Sequence, residues 1–144
     1  MSKLKWQHAL VLTLMCLFSF SAPGRTPVLK NTKWQAVEEL FVADAGTMTI
    51  THTLEFGPGR QVRISRRSYM PPHPTMYQNP DGTVDTLPGW SDEKSGTGTY
   101  RIRKGILYIT YENEDTRECL FLEDGTIAGV SLGGQHVIFK RCTQ

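Results

Sequence analysis

A chain of 144 residues is long enough for one domain and short for two. With 39% hydrophobic and 21% charged residues it lies near the globular norm, which argues against a wholly disordered chain. The formal net charge of +2 includes Lys3 and Lys5, and without them 14 basic residues face 14 acidic ones. That balance argues against nucleic acid and against an obligate anionic membrane surface as partners, because both need an excess of positive charge.

Met1 to Ala22 read as a secretory signal peptide. Lys3 and Lys5 supply the positive start, and Ala9 to Phe20 form an apolar run of 12 residues. This is short of the roughly 20 residues that span a bilayer as a helix. Small residues follow at Ser19, Ser21, Ala22 and Gly24, where cleavage is expected. The expected location is therefore periplasmic or extracellular. Cys16 offers a minor alternative, anchoring as a lipoprotein, although Met15 directly before it is not the small residue such a signal uses. Residues 23–30 then make a short linker and 31–144 one folded domain.

The mature chain reads as short strands joined by turn chemistry. Trp34 to Val42 is the first; Ala36 to Phe41 has a helix-like composition but is too brief to set the fold. After the break at Ala43 to Gly46, the residues Met48, Ile50, His52, Leu54 and Phe56 alternate with Thr47, Thr49, Thr51, Thr53 and Glu55. A period of two puts one face in a core and the other in water. Gly57-Pro58-Gly59 makes the turn, and Arg60 to Tyr69 returns with Val62 and Ile64 inward and Arg63 and Arg67 outward.

Met70 to Gly96 then breaks the pattern. Pro71, Pro72, Pro74, Pro80 and Pro88 allow little regular structure beyond a short strand near Thr83 to Leu87. Long loops of this kind often carry function. Regular spacing resumes with Thr97 to Arg103 and Ile106 to Tyr111 around Lys104-Gly105, a two-residue hairpin turn. Arg117 to Leu122 and Thr126 to Leu132 flank Glu123-Asp124-Gly125. His136 to Arg141 closes the series. Eight sequential antiparallel strands bury their alternating face most simply as an up-and-down barrel, with a sandwich as competitor. The fold class is all-β.

Trp34 on the first strand and Arg141 on the last carry a family likeness. With them the chain resembles the lipocalins and their calycin relatives, particularly small exported bacterial members, over Asn31 to Arg141. The resemblance implies that Trp34 plugs one barrel end and that Arg141 packs across it, a structural pairing of guanidinium on an aromatic face. Where that family prefers glycine two residues before the tryptophan, this chain has Thr32.

Other residues bear on chemistry. Outside the leader, Cys119 and Cys142 form an even pair, expected to bridge in an oxidising compartment, against the alternative of two free thiols. His52 lies between Ile50 and Leu54 on the inward face, either as a core histidine or as a hydrogen-bonding partner for a ligand. The histidines show no zinc-site spacing, and the Met70, His73 and Met76 trio reads as plain loop rather than a copper site. There is no Gly-x-Ser-x-Gly elbow, and the acidic group Glu112, Glu114, Asp115 and Glu118 reads as a solvated turn. No cofactor, metal or catalytic residue is expected, so the chain is read as a non-enzyme.

The leading functional expectation is a monomeric exported barrel that binds a small apolar or amphipathic molecule. Its lining would be drawn from Met48, Ile50, His52, Leu54, Phe56, Val62, Ile64, Tyr100 and Ile102, with Tyr77 and Trp90 reaching in from a loop over the mouth. The alternative is a filled barrel whose 70–96 loop contacts an extracellular protein, as an interaction or inhibitor module.

Overall fold

The computed structural model describes residues 26–113, 115–132 and 134–143, apart from the side chain of Met76. The leader and Cys16 fall outside the described residues. Ten strands follow one another: β1 (Thr32–Val42), β2 (Gly46–Phe56), β3 (Gln61–Met70), β4 (His73–Gln78), β5 (Val84–Leu87), β6 (Trp90–Arg103), β7 (Ile106–Tyr111), β8 (Thr116–Phe121), β9 (Ile127–Val130) and β10 (His136–Arg141). Eight of them close into an antiparallel ring in the order β1-β10-β9-β8-β7-β6-β3-β2. This is the up-and-down, lipocalin-like barrel topology. The remaining two, β4 and β5, form a separate two-stranded sheet between β3 and β6.

The tight turns follow from local chemistry. Lys104 and Gly105 both adopt positive φ, 52° and 77°, the backbone that a two-residue hairpin needs to match strand twist. At Glu123-Asp124-Gly125 the Asp124 carboxylate accepts from the Thr126 amide at 3.0 Å and from its hydroxyl at 2.6 Å, which holds that carboxyl below the usual carboxylate range.

The 70–96 segment is more regular than its prolines suggest. Residues 73–78 and 84–87 pair with each other, and β6 begins at Trp90 rather than near Thr97. The first half of β6 was unreadable because it lacks alternation: it pairs with β3 from Met70↔Trp90 onward but meets β7 only from Gly98↔Tyr111. With one neighbour and two wet faces, Trp90 to Ser95 has no reason to alternate. Gly98 marks the point where β7 joins. A Cβ there would stand 2.4 Å from the Thr110 carbonyl oxygen, so only glycine lets the strands approach this closely.

The inward side chains of the ring form one apolar cluster. Leu29, Trp34, Leu54, Phe56, Val62, Ile64, Leu107, Ile109, Cys119, Ile127, Val137 and Phe139 are all buried within it. Each such burial contributes about 1.5–3 kcal/mol. Tyr100 packs against Phe56 edge to face at 4.9 Å. Trp34 sits at the closed end, where its Nε1–H donates to Thr32 Oγ1 at 2.8 Å while the Thr32 hydroxyl donates to the Leu29 carbonyl. Thr32 thus has a specific task in a place where a glycine would have none.

Two expectations need correcting. Arg141 does stand opposite Trp34 in the β1–β10 ladder, but its side chain is exposed. Among the described residues the guanidinium groups over rings are Arg101 on Tyr108, at 5.3 Å, and Arg117 on Tyr111, at 5.0 Å. Trp34 is held by Thr32 and by apolar packing.

Nor do Cys119 and Cys142 bridge: both are free thiols, Cys119 buried. The register forbids a bond. Cys119 lies level with Gly129 on β9 and so with Val137 on β10. Cys142 is five residues beyond Val137. That is about 16 Å along a strand, whereas bridged cysteines have Cα atoms within about 7 Å. Burial pushes the Cys119 thiol up, leaving it a poor nucleophile.

Trp34→Ala is expected to cost about 3–5 kcal/mol, read from the denaturant midpoint, since it empties the closed end of a buried aromatic side chain. Reductant is expected to leave the melting temperature unchanged. A thiol reagent should label Cys142 well before Cys119 in the native protein, and equal labelling rates would contradict the buried position of Cys119.

Candidate functional site

Above the apolar cluster the inner face changes character. The register sets the inward residues of β1, β2, β3 and β6 in rows across the sheet. The row Trp34–Leu54–Ile64–Gly96 is apolar; the next is Ala36–His52–Arg66–Lys94, and the one after it Glu38–Ile50–Ser68–Asp92. Met70 pairs with Trp90 beyond that. The polar rows begin just where β6 loses β7 as a neighbour and where β1 parts from β10, whose pairing covers only Trp34↔Arg141 and Gln35↔Lys140.

His52 is the centre of this region. It is 2% exposed, and its Nε2 lies 2.7 Å from Glu38 Oε2. An ionised carboxylate only accepts, so Nε2 carries the hydrogen of this bond. Among the described residues the buried Nδ1 has no partner, and the same holds for Nε of Arg66, which stands directly opposite His52 on β3. Cross-strand partners hold their Cβ atoms about 5 Å apart. An unpaired buried polar group costs about 1–3 kcal/mol, so two side by side are unusual in a native interior.

The surroundings supply room and solvent access. The Glu38 side chain is 31% exposed, which keeps one end of its pair with His52 wet. Gly96, half-buried beside Ile64 and Lys94, is a bare stretch of wall: a Cβ there would meet no atom within 4 Å. On the short-stranded side, Arg117 lies over the Tyr111 ring, donates to the Ser131 carbonyl, and pairs with Asp115 at 3.2 Å. Burial raises the Tyr111 phenol, with Arg117 opposing.

The sequence-derived residues divide into three groups. Ile50, His52, Leu54, Phe56, Val62 and Ile64 are buried together inside the barrel, and Met48 and Tyr100 are half-buried at its two ends. Ile102 and Trp90 are exposed. Tyr77, on β4, is 85% exposed and is not brought to the others. His73 Nδ1–H donates to the Pro71 carbonyl at 3.2 Å. Glu38 and Arg66 went unread, yet a signal existed. Continuing the alternation of Val62 and Ile64 places Arg66 inward, a charge at a core position.

Outside the barrel, charges are balanced in register. Lys33 Nζ meets Glu55 Oε1 at 2.9 Å, which raises the Lys33 ammonium, and the ladder sets Arg63 opposite Glu55 and Arg67 opposite Glu93. A cavity of about 610 Å³ is lined by Glu55, Phe56, Val62, Arg63, Thr110 and Tyr111 among others, so that Phe56 and Val62 of the expected lining take part in it and His52, Leu54 and Ile64 do not. Among the described residues no group of three or more His, Cys, Asp or Glu side chains is placed to hold a metal ion.

The chain matches no protein-family model and no curated protein. The eight-stranded closed barrel with its lipocalin-like topology is thus the class that its own geometry defines.

Glu38→Ala is expected to destabilise the fold by about 1–3 kcal/mol, because it leaves both imidazole nitrogens of His52 buried and unpaired. His52→Leu, which removes the half-satisfied ring, should be neutral or stabilising by thermal unfolding. A comparable loss of stability in both variants would show that the His52–Glu38 pair is an ordinary stabilising contact.

Proposed function

We propose that the protein is an exported, non-catalytic binding protein that takes one small amphipathic molecule at the end of the barrel where the ring opens. The observation that carries this reading is the pair of buried, unpartnered atoms, His52 Nδ1 and Arg66 Nε, on the inner face beside the bare wall at Gly96. The polar end of the guest would meet His52 and Arg66, and its apolar body would lie along Met48, Met70 and Trp90 toward the open rim. Leu54, Phe56, Val62 and Ile64 then serve as the packed floor beneath it. Export rests on the leader at Met1 to Ala22.

A second reading has its own support. Tyr77, Val84 and Leu87 are exposed on β4–β5, a two-stranded sheet with no core of its own, and Trp90 follows at 48% exposure. Such an edge suits contact with an extracellular protein.

Native mass spectrometry of the protein purified from its source separates the two. The expected result is a small co-purifying mass that is lost on denaturation. A protein-sized adduct in its place would favour the hairpin, and the bare chain alone at every concentration would count against the binding of a small guest.

A further inference from the structure

We infer that the polar end of the guest is a neutral hydroxyl, which accepts from Arg66 Nε–H and donates to His52 Nδ1, an inference that rests on the amphiphile-binding reading above. The two protein atoms are of opposite kinds. Arg66 Nε–H is a permanent donor, since a guanidinium neither accepts nor loses its proton in a protein. His52 gives its ring hydrogen to Glu38 through Nε2 at 2.7 Å, which leaves Nδ1 an acceptor without a partner among the described residues. The two residues share one rung of adjacent strands, where Cβ atoms lie about 5 Å apart. One oxygen that accepts and donates at once answers both, and a hydroxyl is the smallest group that brings it. A water molecule can do the same in the guest-free protein, so a guest that displaces it keeps its affinity only by making both bonds again.

Other polar ends leave something over. A carboxylate brings no hydrogen, so it turns a lone pair toward that of Nδ1. An ammonium brings no lone pair for Arg66 Nε–H and sets a positive charge beside the guanidinium. An ether oxygen answers Arg66 and leaves Nδ1 bare. A primary amide answers both but adds a second N–H, whereas among the described residues Nδ1 is the one buried side-chain acceptor left open. Charge points the same way. The charged residues of the two polar rows, apart from His52, are Glu38, Arg66, Asp92 and Lys94, two negative and two positive. A neutral guest leaves that balance undisturbed.

The test titrates the whole chain by calorimetry with 1-decanol, decyl methyl ether, decanoate and decylamine, each below its aggregation concentration. The alcohol is expected to bind about ten-fold or more tighter than any of the others. The ether is the stringent comparison, because its extra methyl group favours burial. In His52→Leu the alcohol is expected to fall about ten-fold, to the level of the ether, while the ether is unchanged. In Arg66→Met both should fall, because both oxygens accept from Nε–H. An ether as tight as the alcohol in the unmodified protein, an acid or amine tighter than the alcohol, or an alcohol affinity untouched by His52→Leu overturns the hydroxyl while leaving the amphiphile site standing. Binding of none of the probes removes the amphiphile reading and the hydroxyl with it.

Discussion

A sheet closes into a ring only over the length that its shorter strands supply, and in this barrel the strands are unequal. β1, β2, β3 and β6 run 10–14 residues, whereas β7 to β10 run 4–6. At about 3.3 Å per residue, β6 is about 46 Å long and β7 about 20 Å. The long half must therefore project beyond the short half on one side. Every other feature of the interior follows from where closure stops.

Inside the closed length each inward position is surrounded, and burial there selects apolar side chains, from Trp34 at the bottom to Ile109 and Ile127. Past it, β6 has one neighbour instead of two, and the inward faces of Asp92 and Lys94 are wet. A charge is tolerable there because water reaches it, and His52 sits at the boundary with one nitrogen served by the half-wet Glu38. Buried polar groups that are half satisfied weaken a fold, and local conflicts of that kind concentrate at sites of function. The boundary is thus the place where polar contact costs least and an amphipathic guest has most to gain.

This division explains which parts of the structure were legible in the sequence. β2, with ten residues in strict alternation, and the turns at Gly57, Lys104-Gly105 and Glu123-Asp124-Gly125 are specified locally by period and by backbone chemistry. The barrel followed from them. The first half of β6 was not legible, because a strand wet on both faces carries no period, and β4 was masked by Pro74 within it. The cysteine pair was misread for a different reason: parity of count says nothing about register, and register sets Cys119 and Cys142 far apart. The site was half legible. His52 stood out by its alternation, but its partners come from β1 and β3, and only the pairing of three strands brings Glu38 and Arg66 to it.

The outer face of the same four strands shows that the unpartnered atoms are not a matter of scarce partners. Lys33 is paired with Glu55, and the ladder sets Arg63 and Arg67 against carboxylates. Thr97 donates to Glu112. Charges on the wet face are thus matched where matching is worth little, since exposed pairs contribute about 0–1 kcal/mol. On the inner face, where a missing partner is expensive, Arg66 Nε and His52 Nδ1 are left open on adjacent rigid strands. Strand-borne groups are held more firmly than loop-borne ones, so these two atoms cannot readily relax toward water or toward each other. The strands that pin them are the long ones, anchored at their lower ends in the packed ring. The closed half of the barrel therefore does its work at a distance: it fixes the sheet on which the open half presents an unanswered pair of hydrogen-bonding atoms.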